Sequence, residues 1–143
     1  DFQVSALGFG AMRLPIMDRD TTKINEPEAI KMMHYAFDHG VNYLDTAWFY
    51  HGGFSEVVVG KALTQGYRDK VQLPTKLPAR LVQTIGDANK FLNEQLNRLQ
   101  TDHIDFYLLH ALNKRTWPQV RDIDIFSWAE RAIKEGKIRY PFN

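Results

Sequence analysis

Cysteine is missing from this chain altogether, which excludes disulfide bonds, thiolate metal sites and a cysteine nucleophile, and fits a cytoplasmic protein. An excess of either charge is missing too. The formal net charge is +1 with acidic and basic residues interspersed, so nothing electrostatic argues for a nucleic acid or an anionic membrane as partner. No apolar run reaches membrane-spanning length, and the opening DFQVSALGFG lacks the basic region and apolar core of a secretory signal. The expectation is a cytoplasmic protein with no nucleic-acid and no membrane partner. The chain starts at Asp1 rather than at Met, so residues ahead of it are expected.

What is present describes a folded domain: 44% hydrophobic and 24% charged residues supply a core without the charge density of a disordered chain. Residues Val4 to Leu14 read as a first strand, whose glycines at 8 and 10 permit close approach to the backbone. A dinucleotide-binding fingerprint requires a third glycine where Arg13 stands, and no helical period follows at once, so a Rossmann reading is weak.

After the polar loop MDRDTTKI, a helix is expected from an Asn25 cap, with Glu28 three residues on, apolar Ile30, Met33, Ala36 and Phe37, and a stop at Gly40. Val41 to Thr46 reads as a second strand. Phe54 to Leu63 reads as an amphipathic segment ended by Gly66, and Lys70 to Leu77 as a third strand that Pro74 marks as an edge or bulged one. A helix from about Gly86 to Leu99 has Thr84 as cap and Asp87 as its box partner. His103 to Leu112 is the most apolar strand, and Ile104, Phe106, Leu108 and Leu109 suit a strand covered on both faces. A last helix, Ile125 to Glu135, stops at Gly136, and Lys137 to Tyr140 begin a fifth strand.

Strand starts near 41, 71 and 104 recur at about thirty residues, the length of a right-handed βαβ unit, so the sheet should be parallel. Two architectures fit, an open doubly wound sheet and part of an eight-fold barrel, which takes about 250 residues to close.

Asp45 falls at the carboxyl end of the second strand. A buried, unpaired carboxylate costs several kcal/mol, so a cation is expected beside it. Lys76 ends the third strand and His110 the fourth, which puts ionisable groups at the end where parallel α/β folds gather catalytic residues. Tyr50, on the loop past Asp45, can fold back over the same cleft. Trp48, Phe49 and Trp117 are candidates for an apolar substrate pocket. The histidines at 34, 39, 51 and 103 form no convincing metal cluster; His103 and Asp105 share a strand face without a third ligand.

The pieces LGFGAMRLP, VNYLDTAWFYHGGFSEVVVGKAL, PTKLP, LNEQLNRLQTDHIDFYLLH and EGKIRY, spread from residue 7 to 140, resemble the aldo-keto reductases. The resemblance implies an α/β fold of the (β/α)8 TIM-barrel type, with residues 1–143 as its N-terminal half, truncated to about the first four to five β/α units. It implies an oxidoreductase in which NADPH, or NADH, delivers a hydride to an aldehyde or ketone. The family's four catalytic residues fall on Asp45, Tyr50, Lys76 and His110. Gly10, Ala11, Met12 and Arg13, with Asp45, are implied near the nicotinamide ribose and pyrophosphate.

The chemistry suits those roles. A developing alkoxide needs an acid, and a phenol with an ordinary pKa near 10 needs a nearby cation to serve as one. Tyr50 is then the acid, Lys76 the cation, Asp45 the group that holds Lys76, and His110 a donor that orients the carbonyl or shares in the proton relay. In this family the later strands and loops supply most contacts to the cofactor's phosphates and adenine. Half a barrel also leaves strand edges and apolar surface uncovered. Two copies are therefore expected to associate, or the chain to be part of a longer protein. A cofactor-incompetent half barrel, acting as a fragment or interaction module, is the alternative function.

Overall fold

The computed structural model describes residues 3–142. Strands β1 (Phe9–Gly10), β2 (Leu44–Asp45), β3 (Pro74–Leu77), β4 (Ile104–Leu109) and β5 (Ile138–Pro141) run side by side in chain order. Helices α1 (Glu26–Asp38), α2 (Phe54–Ala62) and α3 (Ile85–Leu99) fill the first three connections, and α4 (Thr116–Asp122) with α5 (Ile125–Lys134) fill the last. Every strand pairing is parallel. The strand order never reverses, whereas a doubly wound sheet requires a reversal at its switch point. The α/β fold is therefore of the (β/α)8 TIM-barrel type, and these residues form its first four to five units.

Local sequence explains the helix starts. The Asn25 side chain accepts from the Glu28 amide at the head of α1, and Thr84 and Asp87 form a reciprocal capping box on α3. The α4 turns had no periodic signal and were not anticipated. Helix α2 is not amphipathic: Ser55, Glu56, Val58, Val59, Gly60 and Ala62 are all buried, because α1 and α3 flank it on both sides. Its Gly60 allows the closest of these contacts, since a Cβ there would lie 2.5 Å from the Arg98 carbonyl oxygen.

Four strand expectations change, the second strand keeping only Leu44–Asp45 of the expected Val41 to Thr46. The first strand shrinks to Phe9–Gly10 followed by a 3-10 turn, Ala11–Arg13. Ahead of it, Ser5 and Asn42 replace ladder rungs by exchanging side-chain bonds with each other's amides, at 2.7 and 3.0 Å. The third strand is interior, not an edge: β4 pairs along one side, and on the other Leu44 and Thr46 donate to the carbonyls of Gln72 and Pro74. Pro74 has no amide to give to β2, so the ladder between these two strands is interrupted there. Finally, β4 is not fully covered on both faces. Ile104, Asp105 and Tyr107 are buried, while Phe106 and Leu108 are half-buried. The Tyr43 and Tyr140 rings approach Phe106 at 5.8 and 5.3 Å on that side.

Among the described residues, no helix is long and apolar enough to cross a membrane.

Candidate active site

Parallel pairing brings the strand ends together: Gly10 stands opposite Asp45, and Leu77 opposite Leu109, with Lys76 and His110 adjacent to that second pair. The Lys76 ammonium donates at 2.8 Å to each Asp45 carboxylate oxygen, at 2.8 Å to the Thr46 carbonyl and at 3.3 Å to the Tyr50 hydroxyl. The Lys76 and Asp45 side chains are 16% and 30% exposed, dry enough for the pair to be mutually dependent. Asp45 thus has the cation its position demanded.

Tyr50 begins a 3-10 turn, Tyr50–Gly53, that folds the loop back over the strand ends. His51, Gly52 and Gly53 all have positive φ, which the two glycines accept without a steric penalty. His51 pins the turn. Its Nε2 accepts from the Leu14 amide at 2.9 Å, so Nδ1 carries the hydrogen and donates to the Thr21 carbonyl at 2.7 Å. The 14–24 loop and the Tyr50 turn are thereby joined.

His110 lies edge-on to the Tyr50 ring, centroids 5.9 Å apart. Its Nδ1 is buried without a hydrogen-bond partner among the described residues. Burial, then the charge on Lys76, holds the imidazole below its ordinary pKa, against the pull of Asp45 and with a further push from Arg80. Geometry agrees, because charging the ring would place an N–H at Nδ1 with nothing to accept it. Both effects favour the neutral imidazole.

Met12, Phe49, Tyr50, Arg80, His110 and Ala111 line a cleft of about 360 Å³ above these groups. Another hollow, about 350 Å³, lies beside α1 among Phe9, Met32 and Tyr35 and includes none of the groups above. Of the aromatic candidates, Phe49 lines the cleft. Trp48 instead packs edge-on against Phe91 beneath the Arg98 guanidinium, and Trp117 packs against Phe126. Gly10 and exposed Met12 and Arg13 sit at the end of β1, whereas Ala11 is fully buried and its carbonyl accepts from the Ser55 hydroxyl at 2.9 Å. Ala11, expected beside the cofactor, therefore presents no surface to a ligand.

Two polar clusters were missed in the sequence reading. Behind β3, buried Glu56 accepts from Thr75 at 2.7 Å and Gln95 at 2.6 Å and faces Arg98 at 3.5 Å; Gln95 also accepts from Tyr107. Burial raises the Glu56 carboxyl despite those donors. Gln95 falls on the apolar stripe of α3 with Leu92 and Leu99, and a polar residue at such a position demands buried partners. At the start of β4, buried Asp105 accepts from the Leu73 amide and pairs with Arg68 and Arg139 at 2.9 and 2.8 Å. That cluster occupies the end of the strand away from the cleft and locks the sheet rather than the chemistry.

A sequence model of the Aldo/keto reductase family matches residues 6–141. A probable aldo-keto reductase 1 of Glycine max is 31% identical over 97% of this chain and 41% of its own length. The holo form of aldo-keto reductase AKR11C1 from Bacillus halodurans superposes with a TM-score of 0.81 at 35% identity, over 99% of this chain and 46% of that one. An aldo/keto reductase from Klebsiella pneumoniae, solved in complex with NADP and acetate, superposes with a TM-score of 0.78 at 29% identity, over 96% of this chain and 44% of that one. The chain thus spans less than half the length of these relatives, and over that span it belongs to the aldo/keto reductase family.

Proposed function

We propose that this chain is the proton-donating half of an NADPH-dependent reductase that turns an aldehyde or ketone into an alcohol. The observation that carries the reading is the Lys76 ammonium, bonded at once to both Asp45 oxygens and to the Tyr50 hydroxyl. Because that hydroxyl accepts from Lys76, its own hydrogen is free to point into the cleft.

The residues at the end of β1 suit the nicotinamide end of such a cofactor. A Cβ added at Gly10 would meet nothing within 4 Å, so open space lies in front of the strand end. Gly10, Met12 and Arg13 would hold the ribose and pyrophosphate there, beside Asp45. When bound, the cofactor supplies the hydride. The chain's own groups manage the proton. Tyr50 donates it to the substrate's carbonyl oxygen, and the phenolate left behind is stabilised by Lys76, which Asp45 keeps charged and in place. Neutral His110, with its hydrogen on Nε2 because Nδ1 has no acceptor, donates a hydrogen bond to the same oxygen and sets its direction.

Fluorescence titration of the 143-residue chain with NADPH tests this, with Tyr50→Phe as a control that keeps the fold. Saturable binding, together with a gel-filtration mass above one 16.6 kDa chain, means that copies associate to complete a cofactor site. No binding up to millimolar NADPH favours the second reading, a cofactor-incompetent half barrel that keeps the four residues without using them. Half-buried Phe106 and Leu108 on the inner face of β4 are the observation on that side.

A further inference from the structure

Arg80 stands on the 3-10 turn Ala79–Leu81, directly past the end of β3. It is the one charged residue among the six that line the cleft. Its guanidinium carbon lies 4.0 Å over the Phe49 ring, a stacking contact that orients the group without consuming its N–H donors. The buried carboxylates take other arginines: Glu56 faces Arg98, and Asp105 holds Arg68 and Arg139. Arg80 is exposed, has no carboxylate and no hydrogen-bond acceptor among the described residues, and shares the lining of the cleft with Tyr50 and His110. The rest of the wall, Met12, Phe49 and Ala111, is apolar and cannot stabilise a charge. Asp45, the nearest acid to this chemistry, is already neutralised by Lys76.

We infer that Arg80 forms an anion subsite in the cleft, selecting carbonyl compounds with an apolar or aromatic body and a carboxylate remote from the reacting carbonyl. A planar guanidinium grips a carboxylate through two parallel N–H bonds, and its weak hydration makes that grip effective beside an aromatic ring. The carbonyl end meets Tyr50 and His110, and the far end meets Arg80. This assignment of two ends rests on the reductase reading; the anion subsite itself does not.

The test is binding, measured without cofactor on the 143-residue chain. Unreactive product analogues, 4-carboxybenzyl alcohol and 4-methylbenzyl alcohol, are titrated while the His110 imidazole signals, assigned with His110→Gln, are followed by NMR. The carboxylate compound is expected to bind at least about tenfold more tightly, because a charge-assisted bond contributes about 1.5–3 kcal/mol. Arg80→Ala should weaken it about 10- to 100-fold more than it weakens the methyl compound. Arg80→Lys should restore part of the difference, and the melting temperature of both variants checks their folding. Equal binding of the two compounds, equal weakening of both by Arg80→Ala, or no shift of His110 at saturating ligand overturns the subsite. Turnover of the matching aldehydes with NADPH is a separate reading. Carboxylate-selective, Arg80-dependent binding with no turnover of either aldehyde upholds the subsite and overturns the reductase.

Discussion

From the buried stripe of α3, the Gln95 amide donates a 3.1 Å hydrogen bond to the main-chain carbonyl of Lys76. The residue whose ammonium bridges Asp45 and Tyr50 is thus held from behind by a helix. The same amide nitrogen reaches Glu56 and Thr75, so one buried side chain ties α2, β3 and α3 to a single position. Gln95→Met keeps the volume and removes every one of these bonds. It should destabilise the fold by about 1–3 kcal/mol, the cost of leaving buried polar groups unpaired, read as a lower urea midpoint.

Glu56 is the acceptor at the centre of that cluster. Glu56→Ala would strand the donors of Thr75 and Gln95 and leave Arg98 without its carboxylate, for a loss of about 3–5 kcal/mol. Glu56→Gln keeps an acceptor for Thr75 and Gln95 and should cost less than half as much. Equilibrium unfolding of both variants at neutral pH checks the order.

Gly60→Ala is a small change with a large expected effect. The new methyl would sit 2.5 Å from the Arg98 carbonyl oxygen and 2.8 Å from the Leu99 carbonyl carbon, both backbone atoms that cannot rotate away. Helices α2 and α3 must separate, at about 1–3 kcal/mol, and thermal unfolding should show a lower midpoint.

Lys76→Met tests the proton relay. In any form of the protein that turns over aldehydes with NADPH, the rate should fall by about 10²–10⁴-fold, the range for losing acid–base assistance. Circular dichroism should remain that of the parent. A rate within threefold of the parent would remove Lys76, and with it the Tyr50 acid, from the mechanism.

His110 gives a pH dependence of known sign. Burial and the Lys76 charge hold it below its ordinary 6.5 in the folded chain, so as pH falls past 6.5 the unfolded chain takes up a proton that the folded one refuses. Its stabilising contribution is complete above 6.5 and is lost as pH drops toward the lowered folded value. The difference in urea midpoint between the parent and His110→Gln should therefore shift in favour of the variant between neutral and mildly acidic pH. A difference that stays constant over that range refutes the assignment of His110 as a neutral imidazole.

Much was legible in the chain because its signals are local. The Asn25 and Thr84 caps, the glycine stops and the thirty-residue spacing of strands each act within a few residues or one βαβ unit, and the helices and parallel pairing follow them. Asp45, Lys76 and His110 could be placed at a common end because parallel strands align their carboxyl termini. Other features depended on neighbours distant in sequence. Pro74 reads as an edge signal, yet β3 is interior because a missing amide interrupts only its pairing with β2. Trp48 and Phe49 are adjacent, yet only Phe49 lines the cleft, since the turn at Tyr50 directs the two side chains to different surroundings. Arg80 had no motif to announce it. The sequence by itself determined which elements form and which charges end the strands; the tertiary structure alone decided which of those charges are paired and which are left facing the cleft, because pairing is a matter of distance in space.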